Sequence, residues 1–177
     1  RNQQADGVRR RRVAPYKAGH LVYWVPDQET MVRNARFYVE RLGFKPTDNS
    51  TNMRFMRAGG SNDHHTLLMQ WEPGFKGFQH VAYEYKDFDE VMLLGCHMEE
   101  QGWKTNTGPL RHNISSTCSW YIWNPAGGVS EAYSDMDYVD ENWVVGNYDP
   151  KAPGFYGVSW AVRPGRRRAR PAEWIDD

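Results

Sequence analysis

Hydrophobic and polar residues follow a strand period, then a helix period, and the succession occurs twice. Gly19-His20-Leu21-Val22-Tyr23-Trp24-Val25 is rich in β-formers and closed by Pro26-Asp27, which predicts a strand. Met31, Ala35, Tyr38, Val39 and Leu42 then fall at offsets 0, 4, 7, 8 and 11, one face of a helix. Gly43 is its stop. Short strands are expected around 44–47, 53–57 and 66–71. A second strand covers 79–85. Asp87, with Glu90 three residues on, resembles a capping box. Val91, Leu94, Gly95 and Met98 continue an amphipathic helix that Gly102 ends. Strands are expected again at 105–107, 118–123 and 129–134.

The two rounds match in detail. Gly43-Phe44-Lys45 answers Gly102-Trp103-Lys104. His20 precedes Gly43 by 23 residues and His80 precedes Gly102 by 22. The chain therefore reads as two βαβββ modules, 19–72 and 79–134, in an α+β domain. Two curved half-sheets of this kind enclose a concave site. Residues 1–18, polar and Arg-rich, read as a flexible arm or linker. Residues 135–177, rich in Trp, Tyr and Pro, read as a tail that wraps the domain or covers its pocket.

Composition narrows the function classes. The 177 residues hold 22 basic and 22 acidic side chains, a balance that argues against nucleic acid as the partner. Arg9–Arg12, Arg166–Arg168 and the acidic stretch 131–141 read as solvated charge or as pairing between subunits. No apolar run approaches the ~20 residues of a membrane span. Cys96 and Cys118 fit reduced thiols of a cytoplasmic protein better than a disulfide framework. Exposed sheet edges make a homo-oligomer the expected assembly. Aromatic residues make up 14%. Trp120, Trp123, Tyr133 and Trp143 are candidates to wall a pocket for a flat substrate, with the core as the alternative.

The repeat also selects candidate chemistry. His20 and His80 occupy the same place in the two modules, and Glu131 lies on the last strand of the second. Two neutral imidazoles and one carboxylate on one face form the facial triad of non-haem Fe(II) oxygenases. Three protein ligands leave an octahedral metal room for a two-oxygen substrate and for O2.

These residues sit within a wider pattern. Gly19-His20-Leu21, His64-His65-Thr66-Leu67, His80-Val81-Ala82-Tyr83-Glu84, Gly108-Pro109-Leu110-Arg111-His112, and Trp120-Tyr121 through Asn124-Pro125-Ala126-Gly127 to Glu131-Ala132-Tyr133 resemble the vicinal oxygen chelate superfamily. Within it, the closest resemblance is to the catalytic domain of type I extradiol ring-cleavage dioxygenases. It covers residues 19–134. It implies Fe(II), with Mn(II) as the alternative, held by His20, His80 and Glu131, and a catecholic substrate cleaved by O2 beside its hydroxyls. It implies that His65 trades a proton beside the O2 position and that His112 and Tyr121 hydrogen-bond the bound substrate. His64 is the alternative to His65, because a one-residue slip in a strand exchanges its faces. Arg111 is a candidate to hold an anionic substrate or orient neighbouring groups. His97 reads as a surface residue. The tract 113–117 departs from the commonest biphenyl-type pattern, which leaves the substrate open.

Two other readings share the fold. A glyoxalase-like lyase or isomerase uses four protein ligands, and Gln70 or Glu72 in the stretch 67–72 is then the fourth. A bleomycin-resistance-like binding protein needs the cleft without the triad.

Overall fold

The computed structural model describes residues 13–148. Residues 1–12 and 149–177, which make up most of the expected arm 1–18 and tail 135–177, lie outside the described residues. Two helices and nine strands follow in the order β1 (Lys17–Val25), α1 (Gln28–Leu42), β2 (Lys45–Ser50), β3 (Met53–Arg57), β4 (Leu67–Trp71), β5 (Gly77–Glu84), α2 (Phe88–Glu100), β6 (Thr105–Arg111), β7 (Cys118–Trp123), β8 (Val129–Ser134) and β9 (Gly146–Tyr148). The architecture is the expected α+β one, a single mixed sheet.

Local chemistry explains the helix ends. Asp27 accepts a hydrogen bond from the Thr30 amide at 2.6 Å, and Gly43 closes α1 in the left-handed region at φ 73°, where glycine carries no Cβ penalty. At α2 the Asp87 carboxylate accepts from the Glu90 amide at 3.0 Å. The Glu90 carboxylate reaches back to the Lys86 amide at 3.2 Å, one residue before the cap.

The sheet runs β6-β7-β8-β5-β1-β4-β3-β2-β9. β1 and β5 pair antiparallel at its centre, and each continues into a parallel neighbour, β4 and β8 respectively. The two modules are thus related by an approximate twofold between β1 and β5. Alternation along the strands separates two layers. Val25, Leu67 and Met69 pack with Met31 and Ala35 of α1, while Ile122 and Ala132 pack with Val91 of α2. A Cβ on Gly95 would stand 2.2 Å from the Trp120 ring, so glycine lets α2 lie flat on the sheet. Val22, Phe55, Leu68 and Ile114 cluster on the opposite, concave face.

Four elements differ from the sequence reading. β1 begins at Lys17, because Lys17 pairs with Glu84 across the strands and its ammonium bridges Asp63 and Glu84 at 2.7 and 2.8 Å. β2 runs to Ser50 through the polar stretch 47–50, and β6 extends to Arg111. β9 adds an edge strand parallel to β2, in a region read from sequence only as tail.

Candidate metal centre

Sheet register brings the three predicted ligands together. His20 on β1 lies opposite Ala82 on β5, and Ala82 lies opposite Glu131 on β8. Residues opposite one another in register share a face. His80 precedes Ala82 by two positions and points the same way. Ala82 is fully buried, and its methyl group leaves room above it for the larger side chains on either side.

The donor atoms converge. His20 Nε2 and His80 Nε2 each lie 3.0 Å from the same oxygen, Glu131 Oε2. All three ligand atoms fall within 4.8 Å of one another, and all three residues are buried. Ligands each about 2.1 Å from one ion and at right angles about it stand about 3.0 Å apart. The donor set therefore fits a divalent metal. The carboxylate is ready for it. Burial alone would raise the Glu131 pKa, but the His20 and His80 imidazoles beside it hold it well below the usual carboxylate range. His80 Nδ1 sits 2.7 Å from Gln79 Oε1, an acceptor that keeps the proton on Nδ1 and frees Nε2 to ligate.

The approximate twofold identifies the fourth position. His20 corresponds to His80, and Val22 to Ala82. Ala82 pairs with Glu131, whereas Val22 pairs with Leu68. Leu68 is the counterpart of Glu131 and has no donor atom. Gln70 lines the cavity but accepts from Gln79 Nε2 at 3.2 Å, and Glu72 is not part of the wall. Neither completes a four-ligand set.

His65, His112 and Tyr121 all line the same cavity of about 780 Å³. The His65 ring stands 4.3 Å from that of His20, centroid to centroid. His112 Nε2 lies 2.8 Å from the Tyr121 hydroxyl and 3.9 Å from Glu131 Oε1. His64 points away from the cavity. Its Nε2 meets Asp48 Oδ2 at 2.8 Å and its Nδ1 meets His65 Nδ1 at 3.0 Å. In this pairing His64 donates from Nε2 to the Asp48 carboxylate. Its bare Nδ1 then accepts from His65, which leaves His65 Nε2 unprotonated. Asp48 Oδ1 in turn accepts from the Gly146 amide at 2.6 Å.

Other candidates lie elsewhere. Arg111 donates to Asp135 and to the Ser116 carbonyl and braces the loop instead of entering the cavity. Trp120 and Tyr133 are core, Trp143 packs edge-on against His64, and Trp123 alone of the four aromatic candidates lines the wall. His97 is exposed. Sequence reasoning missed Gln79 and Asp48. Gln79 adjoins a predicted ligand, which is a weak signal. Asp48 lies in a polar run between two expected strands, so no signal marked it.

Burial favours the neutral form of the His65 and His112 imidazoles. It lowers His112 to about 4, with His20 and His80 adding to the effect against Glu131, and it lowers His65 well below its ordinary value. The unfolded chain binds these protons near pH 6.5, so between that pH and about 4 it holds more of them than the folded chain. Stability must then fall as pH drops. For the metal-free protein, the unfolding free energy should decline from pH 6.5 to 4, by roughly 3 kcal/mol for His112 alone, and denaturant midpoints with it. Unchanged midpoints over that range would contradict neutral burial.

Residues 17–119 match the model of the Glyoxalase/Bleomycin resistance protein/Dioxygenase superfamily. The chain belongs to this superfamily. The match includes His20, His65, His80 and His112, while Tyr121 and Glu131 lie beyond it. The chain is 28% identical over 140 residues to metapyrocatechase 2 of Cupriavidus necator, covering 77% of this chain and 42% of that protein. A 2,2',3-trihydroxybiphenyl 1,2-dioxygenase from Sphingomonas wittichii superposes with a TM-score of 0.68 at 26% identity, over 80% of this chain and 50% of that one. The Mn(II)-bound glyoxalase from Novosphingobium aromaticivorans gives 0.72 at 24%, over 94% and 53%. The chain spans about half the length of these relatives. Among the described residues, no helix is long and apolar enough to cross a membrane.

Proposed function

We propose that residues 19–134 form the catalytic unit of an extradiol dioxygenase that cleaves a catecholic ring with O2. One observation carries this reading: His20, His80 and Glu131 converge in a cavity while Leu68 occupies the equivalent fourth position. A four-ligand glyoxalase-like centre has no donor there, and a sequestering protein has no use for the triad. Fe(II) bound to the three residues would supply Lewis acidity and an electronic path between substrate and O2; Mn(II) suits the same ligands.

The chain's own groups account for the rest. His65 Nε2, held unprotonated, takes a proton from a catechol hydroxyl and returns it later in the cycle. His112 and Tyr121, in hydrogen-bond contact with each other and with His112 Nε2 3.9 Å from Glu131 Oε1, hydrogen-bond the ring oxygen as its charge changes. Buried walls keep bulk water from the reacting oxygens. Both atoms of O2 enter the product as the carbon–carbon bond beside the hydroxyls breaks, so no external reductant is consumed.

The test is anaerobic loading with Fe(II), followed by O2 and a panel of catechols. A yellow ring-opened semialdehyde should form with one O2 consumed per catechol. Failure to bind Fe(II) or Mn(II), or a loaded protein that consumes no O2 with any catechol, overturns the reading.

A further inference from the structure

The cavity is far larger than one dihydroxylated ring needs. At about 780 Å³ it falls in the range that engulfs a drug-sized ligand. Its outer wall is aromatic. Trp24 and Phe75 pack at 5.4 Å between centroids, and Phe78 and Trp123 join them on the lining. Phe75, Phe78 and Trp123 remain 54%, 56% and 45% exposed, more than their size warrants unless something covers them. Leu68 and Ile114 continue the apolar surface inward.

Charge is the second observation. Among the described residues, the lining includes no Lys, Arg or Asp, and Glu131 is its one carboxylate. The cations on neighbouring strands are committed elsewhere. Arg54 donates to the carbonyls of Ser50 and Met53. Arg111 is held by Asp135, and Lys17 by Asp63 and Glu84. A carboxylate on a substituent lying along this wall, away from the triad, would lose hydration with no Lys or Arg of the described lining to meet it; exposed Lys76, beside Phe75, is not part of that lining.

We infer that the site takes catechols bearing a bulky, uncharged aromatic or alkyl substituent and rejects catechols bearing a carboxylate. The dihydroxylated ring meets the triad, and the substituent lies along the aromatic wall. This substrate class rests on the dioxygenase reading above.

The experiment compares three ligands on the Fe(II)-loaded chain: catechol, 2,3-dihydroxybiphenyl and 3,4-dihydroxyphenylacetate. Anaerobic tryptophan-fluorescence titration gives affinity, and O2 uptake gives kcat/KM. 2,3-Dihydroxybiphenyl should bind at least about tenfold more tightly than catechol, and the acid should trail it by about 100-fold or more in kcat/KM. Phe78→Arg, which places a cation on the wall, should narrow the gap between biphenyl and acid by tenfold or more. If the acid matches the biphenyl compound in affinity and turnover, the inference falls while the dioxygenase reading stands. If none of the three is cleaved and binding is the same without metal, the dioxygenase reading falls first.

Discussion

Glu131→Ala should leave Fe(II) and Mn(II) bound at least about 100-fold more weakly and abolish ring cleavage. Loss of a group that merely supports a ligand costs metal affinity about 10- to 100-fold, and Glu131 is the sole anion of the triad. Both Nε2 atoms lie 3.0 Å from its one oxygen, so its removal leaves two neutral donors around a doubly charged ion. Isothermal titration under anaerobic conditions reads the affinity, and far-UV circular dichroism checks the fold. Glu131→Gln separates charge from shape: it keeps an oxygen in place and should still lose most of the affinity. Metal binding close to that of the unaltered chain would remove Glu131 from the triad, and with it the proposed centre.

His65→Gln should lower kcat by about 100- to 10,000-fold, the range for loss of a positioned acid–base group. Metal content and anaerobic catechol affinity should stay within a few-fold, because His65 is outside the ligand set. Asp48→Asn makes the companion variant. It sits behind His64 and touches nothing in the cavity, yet its amide would donate to His64 Nε2 and reverse the hydrogen-bond polarity. His65 would then carry its proton on Nε2 and could not act as base. Nitrogen-15 NMR of the six histidines in the metal-free chain reads the tautomer directly. An unchanged His65 tautomer, or full kcat in His65→Gln, would exclude the relay.

Much of the fold was legible because its signal is periodic. Met31, Ala35 and Tyr38 mark α1, and the paired His20 and His80 mark a repeat that a sheet twofold then explains. Glu131 was legible only through the wider pattern, because its counterpart in the first module is Leu68, and no symmetry argument leads from one to the other. Asp48 was hidden for a different reason. Residues 48–50 are polar and fall between the strands expected at 44–47 and 53–57, but all three are buried in β2. Part of their polarity is met across the sheet: Gly146 donates to Asp48, and Asn49 Nδ2 donates to Asn147 at 3.1 Å, while Asn49 Oδ1, and Thr47 Oγ1 just before them, find no hydrogen-bond partner. Pairing between residues about 98 apart leaves no local trace. Arg111 misled for the converse reason, since a cation beside a site histidine looks functional until Asp135 is seen to hold it.

The edge strand β9 places a control point outside the cavity. Gly146 anchors the Asp48 carboxylate, and Trp143 rests on His64 while donating to the Thr47 carbonyl at 2.8 Å. None of these residues lies on the cavity wall. A change confined to Trp143 or Gly146 is therefore expected to alter the tempo of the proposed turnover more than the choice of substrate, whereas Tyr148 packs against the lining residues Phe55 and Leu68. Diversification confined to those two positions offers a way to adjust speed and selectivity separately in the proposed dioxygenase.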